Sequence, residues 1–290
     1  MADAVRGMMK ALKKKLSAYY YGTVHPSALG YRLRRVLGGE RLAEEKPFDP
    51  SAAVSDLFVW RCDDVWETEF DLFNLTSFLF ADRDSNEPCD ILLFDAAGKK
   101  VKEFSLTLEP MERRILILSS LLPPGISGAG TFSVFHHSPR AGELAARHSH
   151  LTERGYIGYR RRGDSLKSYC HGNLQSLSRT AGKGGHGYVA VTEAKPEVYY
   201  PQLILSDCDR AELVYTNPSS KARRICVRAY ARDGRLLRSV NSLVPPCGVS
   251  ILPLDNADRA IHTFDNIGDI AMWRPVIFKH TPVHFDAMHG

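Results

Sequence analysis

The sequence predicts an all-β protein: two tandem antiparallel β-sandwich domains preceded by a short helical N-terminal segment. Three observations carry this reading. A stretch of the chain occurs twice, glycine-containing turns fall between short apolar runs in both copies, and strand-like runs recur at about 8–12-residue spacing with alternating polarity. Residues 90–118 and 226–254 align at a constant offset of 136, which sets Phe94 on Tyr230, Gly98 on Gly234, Pro110 on Pro246 and Ile115 on Ile251. Upstream the offset is 143, with Glu69 on Glu212 and Asn74 on Asn217, and the difference falls in a longer loop after Asn74. Each copy is read as closing on an apolar strand, TFSVFHHSP (131–139) in the first and PVIFKHTP (275–282) in the second.

Taken in chain order, the first segment is residues 1–46. It holds ten Lys/Arg against four Asp/Glu, so a charge of +6 sits there and the remaining residues sum to −1, which gives the formal net charge of +5. A neutral main body gives no general reason to expect nucleic acid as a partner. Val5, Met8, Met9, Leu12 and Leu16 recur at helical steps, with Lys10, Lys13, Lys14 and Lys15 on and beside the other faces, and Arg32, Arg34 and Arg35 extend the positive patch. A basic amphipathic helix of this kind suits docking to an anionic membrane surface or a protein partner; the plainer reading is a helix that covers its own core. The first sandwich is assigned to 47–139, an insert with a β-hairpin and a Gly-rich loop to 140–197, and the second sandwich to 198–290. Within each sandwich, Asp95-Ala-Ala-Gly98 and Ala231-Arg-Asp-Gly234 are hairpin turns that need Gly at positive φ. Pro110 and Pro246 end strands, because proline cannot donate to a ladder.

The order of these features resembles the sensory rhodopsin transducer family. The residues that carry the resemblance are Asn217, Gly234, Val244-Pro-Pro246 and Phe278-Lys-His-Thr281, with counterparts at Asn74, Gly98, Leu108-Glu-Pro110 and Phe135-His-His-Ser138. It implies a small all-β sandwich that self-associates and either docks to a membrane partner or binds a small ligand. The chain departs from that pattern in its two copies, its basic N-terminus and its insert.

The insert concentrates polar and aromatic side chains. Tyr156 to Arg161 and Ser168 to Gly172 bracket a turn near Gly163-Asp164, so a hairpin is expected there, with Tyr156, Gly158 and Arg160 on one face and Ile157, Tyr159 and Arg161 on the other. Tyrosine rings stack on the apolar faces of sugars or bases, while Arg, His and Asn bond hydroxyls and carboxylates. The candidate ligand-binding residues are therefore Glu153, Arg154, Tyr156, Tyr159, Arg160, Tyr169, His171 and Asn173. The run Gly182 to Gly187 could let backbone N–H groups approach an anion, but it lacks the P-loop spacing, so nucleotide hydrolysis is not indicated. Six of the eleven histidines lie between His136 and His186. Although His148-x-His150 has chelating spacing, no zinc motif accompanies it, and no metal or other cofactor is expected. The six cysteines form no C-x-x-C and are read as reduced.

These features favour a non-catalytic binding protein that recognises a small polar ligand, a carbohydrate or sugar acid, through the insert. The alternative is a self-associating scaffold, a homo-oligomer docked through the basic N-terminus. Catalysis ranks below both, since no nucleophile elbow, catalytic cysteine signature or cofactor fingerprint is present. The N-terminus shows no secretory h-region and no stretch approaches about 18 apolar residues, so a cytoplasmic protein, peripheral to a membrane at most, is expected.

Overall fold

The computed structural model describes residues 53–80, 85–140, 143, 152–173, 175–182, 185–190, 196–201 and 203–290. The basic segment 1–46, with Lys10, Lys13, Lys14, Lys15, Arg32, Arg34 and Arg35, and the pair His148-x-His150 lie outside them. The fold is all-β, with twenty strands in five four-stranded sheets among the described residues. No described helix is long and apolar enough to cross a membrane.

The first unit begins with β1 (Ala53–Asp56), β2 (Phe58–Cys62) and β3 (Trp66–Phe73), followed by a short helix α1 (Leu75–Phe80). Strands β4 (Glu87–Asp95), β5 (Lys100–Leu108) and β6 (Arg113–Ile117), a single helical turn α2 (Leu118–Leu121) and β7 (Gly128–His136) complete the part read as a sandwich from sequence. The insert supplies β8 (Thr152–Glu153), β9 (Tyr156–Arg161), β10 (Ser168–His171), β11 (Ser176–Gly182) and β12 (Gly185–Ala190). In the second unit β13 (Glu197–Tyr199), β14 (Arg210–Thr216), β15 (Arg223–Tyr230), β16 (Leu236–Val244), β17 (Val249–Asp255), β18 (Thr263–Gly268), β19 (Val276–His280) and β20 (Phe285–His289) follow.

The repeat extends further than the sequence showed. The first unit pairs its strands as β10-β9-β3-β6 and β2-β7-β4-β5; the second pairs them as β20-β19-β14-β17 and β13-β18-β15-β16, the same orders. The matched closing strands are therefore a misalignment. Strand β7 (from TFSVFHHSP) runs beside β4 as β18 runs beside β15, whereas β19 (from PVIFKHTP) runs beside β14 as β9 runs beside β3. The counterpart of the last hairpin, β19–β20, is the hairpin β9–β10 inside the insert. Both closing runs are apolar strands before a His, so composition could not separate them.

Buried asparagines show how closely the copies agree. Asn74 donates through Nδ2 to the Glu109 carbonyl (3.1 Å) and accepts at Oδ1 from the Ser77 N–H (3.0 Å). Asn217 does the same with the Val244 carbonyl (2.9 Å) and the Ser219 N–H (2.9 Å). Each side chain thus satisfies backbone groups at the sandwich end that no ladder reaches. The two turn glycines behave as expected, with φ of +80° at Gly98 and +84° at Gly234.

Each unit fills the space between its sheets. In the first, Phe58, Phe70 and Phe132 meet at centroid distances of 5.0, 5.1 and 5.2 Å, among Leu72, Ile91, Leu93, Val134 and Ile157. In the second, Leu213, Tyr215, Val227, Phe264, Trp273 and Ile277 do so, with the buried indole N–H of Trp273 donating to the Thr216 carbonyl (2.7 Å). The fifth sheet, β12-β11-β1-β8, belongs to the first unit alone and includes the parallel pair β1–β8. It lays Ala53, Leu57 and Leu177 over Leu92, Phe94 and Phe135 and so buries the outer face of sheet β2-β7-β4-β5. All six cysteines are free, and burial pushes the Cys62, Cys170 and Cys247 thiols up to about 12.

The units pack against each other through the outer face of sheet β20-β19-β14-β17. Phe278 meets Tyr159 (4.8 Å) and Trp66 (5.2 Å), and Phe285 meets Trp66 (4.8 Å). The Arg61 guanidinium lies 4.5 Å from the Trp66 ring and 4.7 Å from that of Phe278, while it pairs with Glu212 at 2.5 Å. His280 holds the same carboxylate at 3.2 Å and receives Arg161 on its other nitrogen at 2.7 Å. Burial alone would raise the Glu212 pKa, but the hydrogen bond to His280 and the Arg61 charge outweigh it and bring it from 4.5 to about 2.

Candidate functional site

In the first unit the outer face of sheet β10-β9-β3-β6, equivalent to the face buried in the second, is open among the described residues. Alternation sets its composition, because every second residue of each strand points outward. From β3 come Glu67, Glu69 and Asp71; from β6 Arg113, Ile115 and Ile117; from β9 Tyr156, Gly158 and Arg160; from β10 Tyr169 and His171. Register places His171, Tyr156, Asp71 and Ile115 in one cross-strand row and Tyr169, Gly158, Glu69 and Ile117 in the next.

The centre of this face is an aromatic platform. A Cβ added to Gly158 would stand 2.8 Å from Tyr169 Cε1 and 3.2 Å from its Cζ, so the Tyr169 ring lies across the sheet in the space that glycine leaves open. Tyr169 is 51% exposed and Tyr156 53% exposed. The His171 ring meets Tyr156 edge-on at 6.5 Å. Polar groups flank the platform in fixed pairs. Arg113 donates from Nε (2.7 Å) and Nη2 (2.5 Å) to the two oxygens of Asp71, and Lys167 pairs with Glu69 at 2.5 Å. Arg160 stands 3.9 Å from the same Glu69. The Arg113 pKa is raised, first by its hydrogen bond to Asp71 and also by the nearby Tyr169 hydroxyl.

At one edge the platform reaches the second unit. His171 on β10 and His289 on β20 occupy equivalent strand positions, and their rings touch at 4.2 Å with a nitrogen–nitrogen distance of 3.0 Å. The His289 pKa falls to about 4, because burial disfavours its charged form and His171, Arg274 and Arg154 add positive charge around it. His289 is therefore a neutral ring near pH 7.

The eight residues expected to bind ligand separate into three groups. Tyr156, Arg160, Tyr169 and His171 come together on the open face. Tyr159 does not, because alternation turns it into the core, where its hydroxyl donates to the Val59 carbonyl (2.9 Å) and burial drives its pKa well up. Glu153 is buried on β8, with its carboxylate 2.5 Å from His136 Nε2; Glu87 lies 2.8 Å from His136 Nδ1. Burial opposes a charge on His136, but the contacts with Cys89, Glu153 and Glu87 outweigh it and raise its pKa well above the ordinary value. The triad ties β4, β7 and β8 together and does not face a ligand. Arg154, 3.5 Å from Asp56, and the buried Asn173, which donates to the Arg274 carbonyl at 3.4 Å, lie beside the seam between the units.

Glu69, Asp71, Arg113, Ile115, Ile117 and Lys167 were not expected on this face. The signal was present in WETEFDLF and RRILI, where charged or exposed residues recur at every second position, but it needed the pairing of β3 with β9 to acquire a location. The described residues of the Gly-rich run pair across β11 and β12, with Gly182 opposite Gly185 and Thr180 opposite Gly187.

No protein-family model matches the chain. No curated protein matches it either. Among solved structures the chain is similar to a β-glucuronidase from glycoside hydrolase family 2, at 9% identity and a TM-score of 0.14 over 80% of this chain and 23% of that one. The chain thus spans about a quarter of that enzyme's length. A likeness of that size leaves the function to be read from the chain's own open face.

Proposed function

We propose that the protein is a non-catalytic binding protein that holds a small polyhydroxylated ring, a neutral sugar or a sugar acid, on the open face of the first unit. The observation that carries this reading is the Tyr169 ring laid flat over Gly158, exposed at the middle of a sheet and rimmed by paired charges. A flat ring stacks on the C–H face of a sugar, and hydroxyls then bridge the Asp71–Arg113 and Glu69–Lys167 pairs, whose donors and acceptors are already oriented. Because each carboxylate of these pairs is engaged by a cation, the face suits hydrogen bonding to a ligand rather than proton transfer.

The test is calorimetric titration of the full chain with glucose and with glucuronate. Tyr169→Ala removes the platform, and Gly158→Ala displaces it by adding a Cβ in its place. Loss of the stacked ring costs about 0.5–1.5 kcal/mol, roughly twofold to twelvefold in affinity. The expected outcome is weaker binding in both variants with an unchanged melting temperature. Binding as tight in Tyr169→Ala as in the natural chain overturns the placement.

A further inference from the structure

The second unit has an open face of its own, on the other sheet. Among the described residues, the outer side of β13-β18-β15-β16 has no counterpart of the fifth sheet that covers the first unit, and its residues differ accordingly. Register makes Leu92 equivalent to Arg228, Phe94 to Tyr230 and Ser133 to Asp265. Mere exposure would be met by scattered polar side chains; here they line a concave groove of about 480 Å³, formed among others by Tyr200, Arg228, Tyr230, Arg232, His262 and Asp265. That volume lies in the range of about 300–1,000 Å³ typical of small-molecule sites.

The groove is organised around one buried carboxylate. Asp265 accepts from Arg228 Nε (2.8 Å), Arg228 Nη2 (2.7 Å) and the Tyr230 hydroxyl (3.0 Å). Its capacity is used within the protein, and its effect is to fix the planes of a guanidinium and a phenol side by side. Tyr200, 67% exposed, adds a second ring at the rim. Arg232 stands on the tight β15–β16 turn, held by the Gly234 N–H to Ala231 carbonyl bond (3.0 Å) and by Gly234 at φ +84°. With Asp265 offset by Arg228, Arg232 leaves the groove net positive. Aromatic walls select a ring, and the surplus cation selects an anionic substituent.

We propose that this groove is a second binding site, specific for a sugar ring that carries a carboxylate or a phosphate. It is separate from the open face of the first unit and does not depend on that site.

The experiment uses the full chain with the Tyr169→Ala substitution, so that the first unit's platform is absent. It is titrated by calorimetry with glucuronate, glucose 6-phosphate, glucose and inorganic phosphate. Binding of glucuronate, of glucose 6-phosphate or of both is expected, and which of the two binds distinguishes the carboxylate from the phosphate. Glucose and phosphate alone should bind at least about tenfold more weakly, the usual worth of one charge-assisted contact. Tyr200→Ala and Arg232→Ala alter exposed side chains at the rim, and each should weaken binding by about the same factor. The proposal is overturned if neither anionic sugar binds, if glucose binds equally well, or if both rim variants bind unchanged. Glucuronate binding that is present in the natural chain and lost in Tyr169→Ala alone would place the ligand on the first unit, overturning the groove while leaving the proposed function intact.

Discussion

On the sheet face that the second unit presses against the first, Val276, Phe278 and His280 stand where the first unit carries Tyr156, Gly158 and Arg160. The neighbouring strand changes in step, with Phe285 and Ala287 in place of Lys167 and Tyr169. Of the inward-facing residues, Ile277 matches Ile157 in the register, while Lys279 stands where the first unit has Tyr159. The other sheet shows the reverse, an apolar Leu92 and Phe94 under cover in the first unit and Arg228 and Tyr230 at a groove in the second. One scaffold is thus used twice, and the outward half of each alternation decides whether a face becomes an interface or a surface.

The sharpest way to break the comparison is to truncate one ring on each side of it. Phe278→Ala empties a site shared with Trp66 and Tyr159 and should cost about 3–5 kcal/mol, as large-to-small core changes do. Tyr169→Ala, from the equivalent but open face, should stay within about 0.5 kcal/mol. Chemical denaturation of the two variants tests this, and similar losses would mean that the two faces are not different environments.

The turn glycines offer a smaller contrast. Gly98 and Gly234 share a positive φ, so alanine strains either by about 1–2 kcal/mol. An added Cβ at Gly98 would also collide with the Pro246 carbonyl oxygen at 1.7 Å, whereas at Gly234 it meets nothing within 4 Å. Gly98→Ala should therefore cost about 1–3 kcal/mol more than Gly234→Ala, the range of an overpacked site. Equal losses would show that the Gly98 turn does not bear on the second unit.

The smallest effect concerns acid. Since the Glu212 carboxyl is depressed from 4.5 to about 2, its contribution is complete above pH 4.5 and drains away as the pH falls toward 2. Between about pH 5 and about pH 3 this group alone removes about 2 kcal/mol from the natural chain. Thermal melts of Glu212→Gln over that window should show a flatter slope by this amount. An unchanged slope would remove the Arg61–Glu212–His280 cluster from the forces that hold the units together.

Much of the architecture was legible because the repeat's turns and caps are local. Gly98, Gly234, Asn74 and Asn217 kept their offsets, and the hairpin at Gly163-Asp164 forms where its turn residues predicted. The equivalence of β9–β10 with β19–β20 was hidden for a physical reason. Those strands carry the face that differs between the units, so the outward residues share no chemistry, and the inward Ile157 and Ile277 alone are too few to align. The same divergence explains the site: Tyr156, Arg160, Tyr169 and His171 stood out by composition, while Glu69, Asp71 and Arg113 belong to strands that only long-range pairing brings alongside. Tyr159 was misplaced by chemistry although its position in the alternation already turned it inward.

The fifth sheet has a consequence for synthesis. Its central pair joins β1 to β11, and the Asp56–Ser176 hydrogen bond within it closes a loop of 120 residues. At about 5–20 residues per second, a ribosome needs roughly 6–24 seconds to make that length. Once Phe135 has been made, Leu92, Phe94 and Phe135 form an uncovered apolar strip on a nascent chain while the 41 residues up to Ser176 are added, roughly 2–8 seconds, before the last strand of their cover has left the tunnel. The nascent first unit thus presents a timed, predictable target for chaperones that bind extended hydrophobic strands.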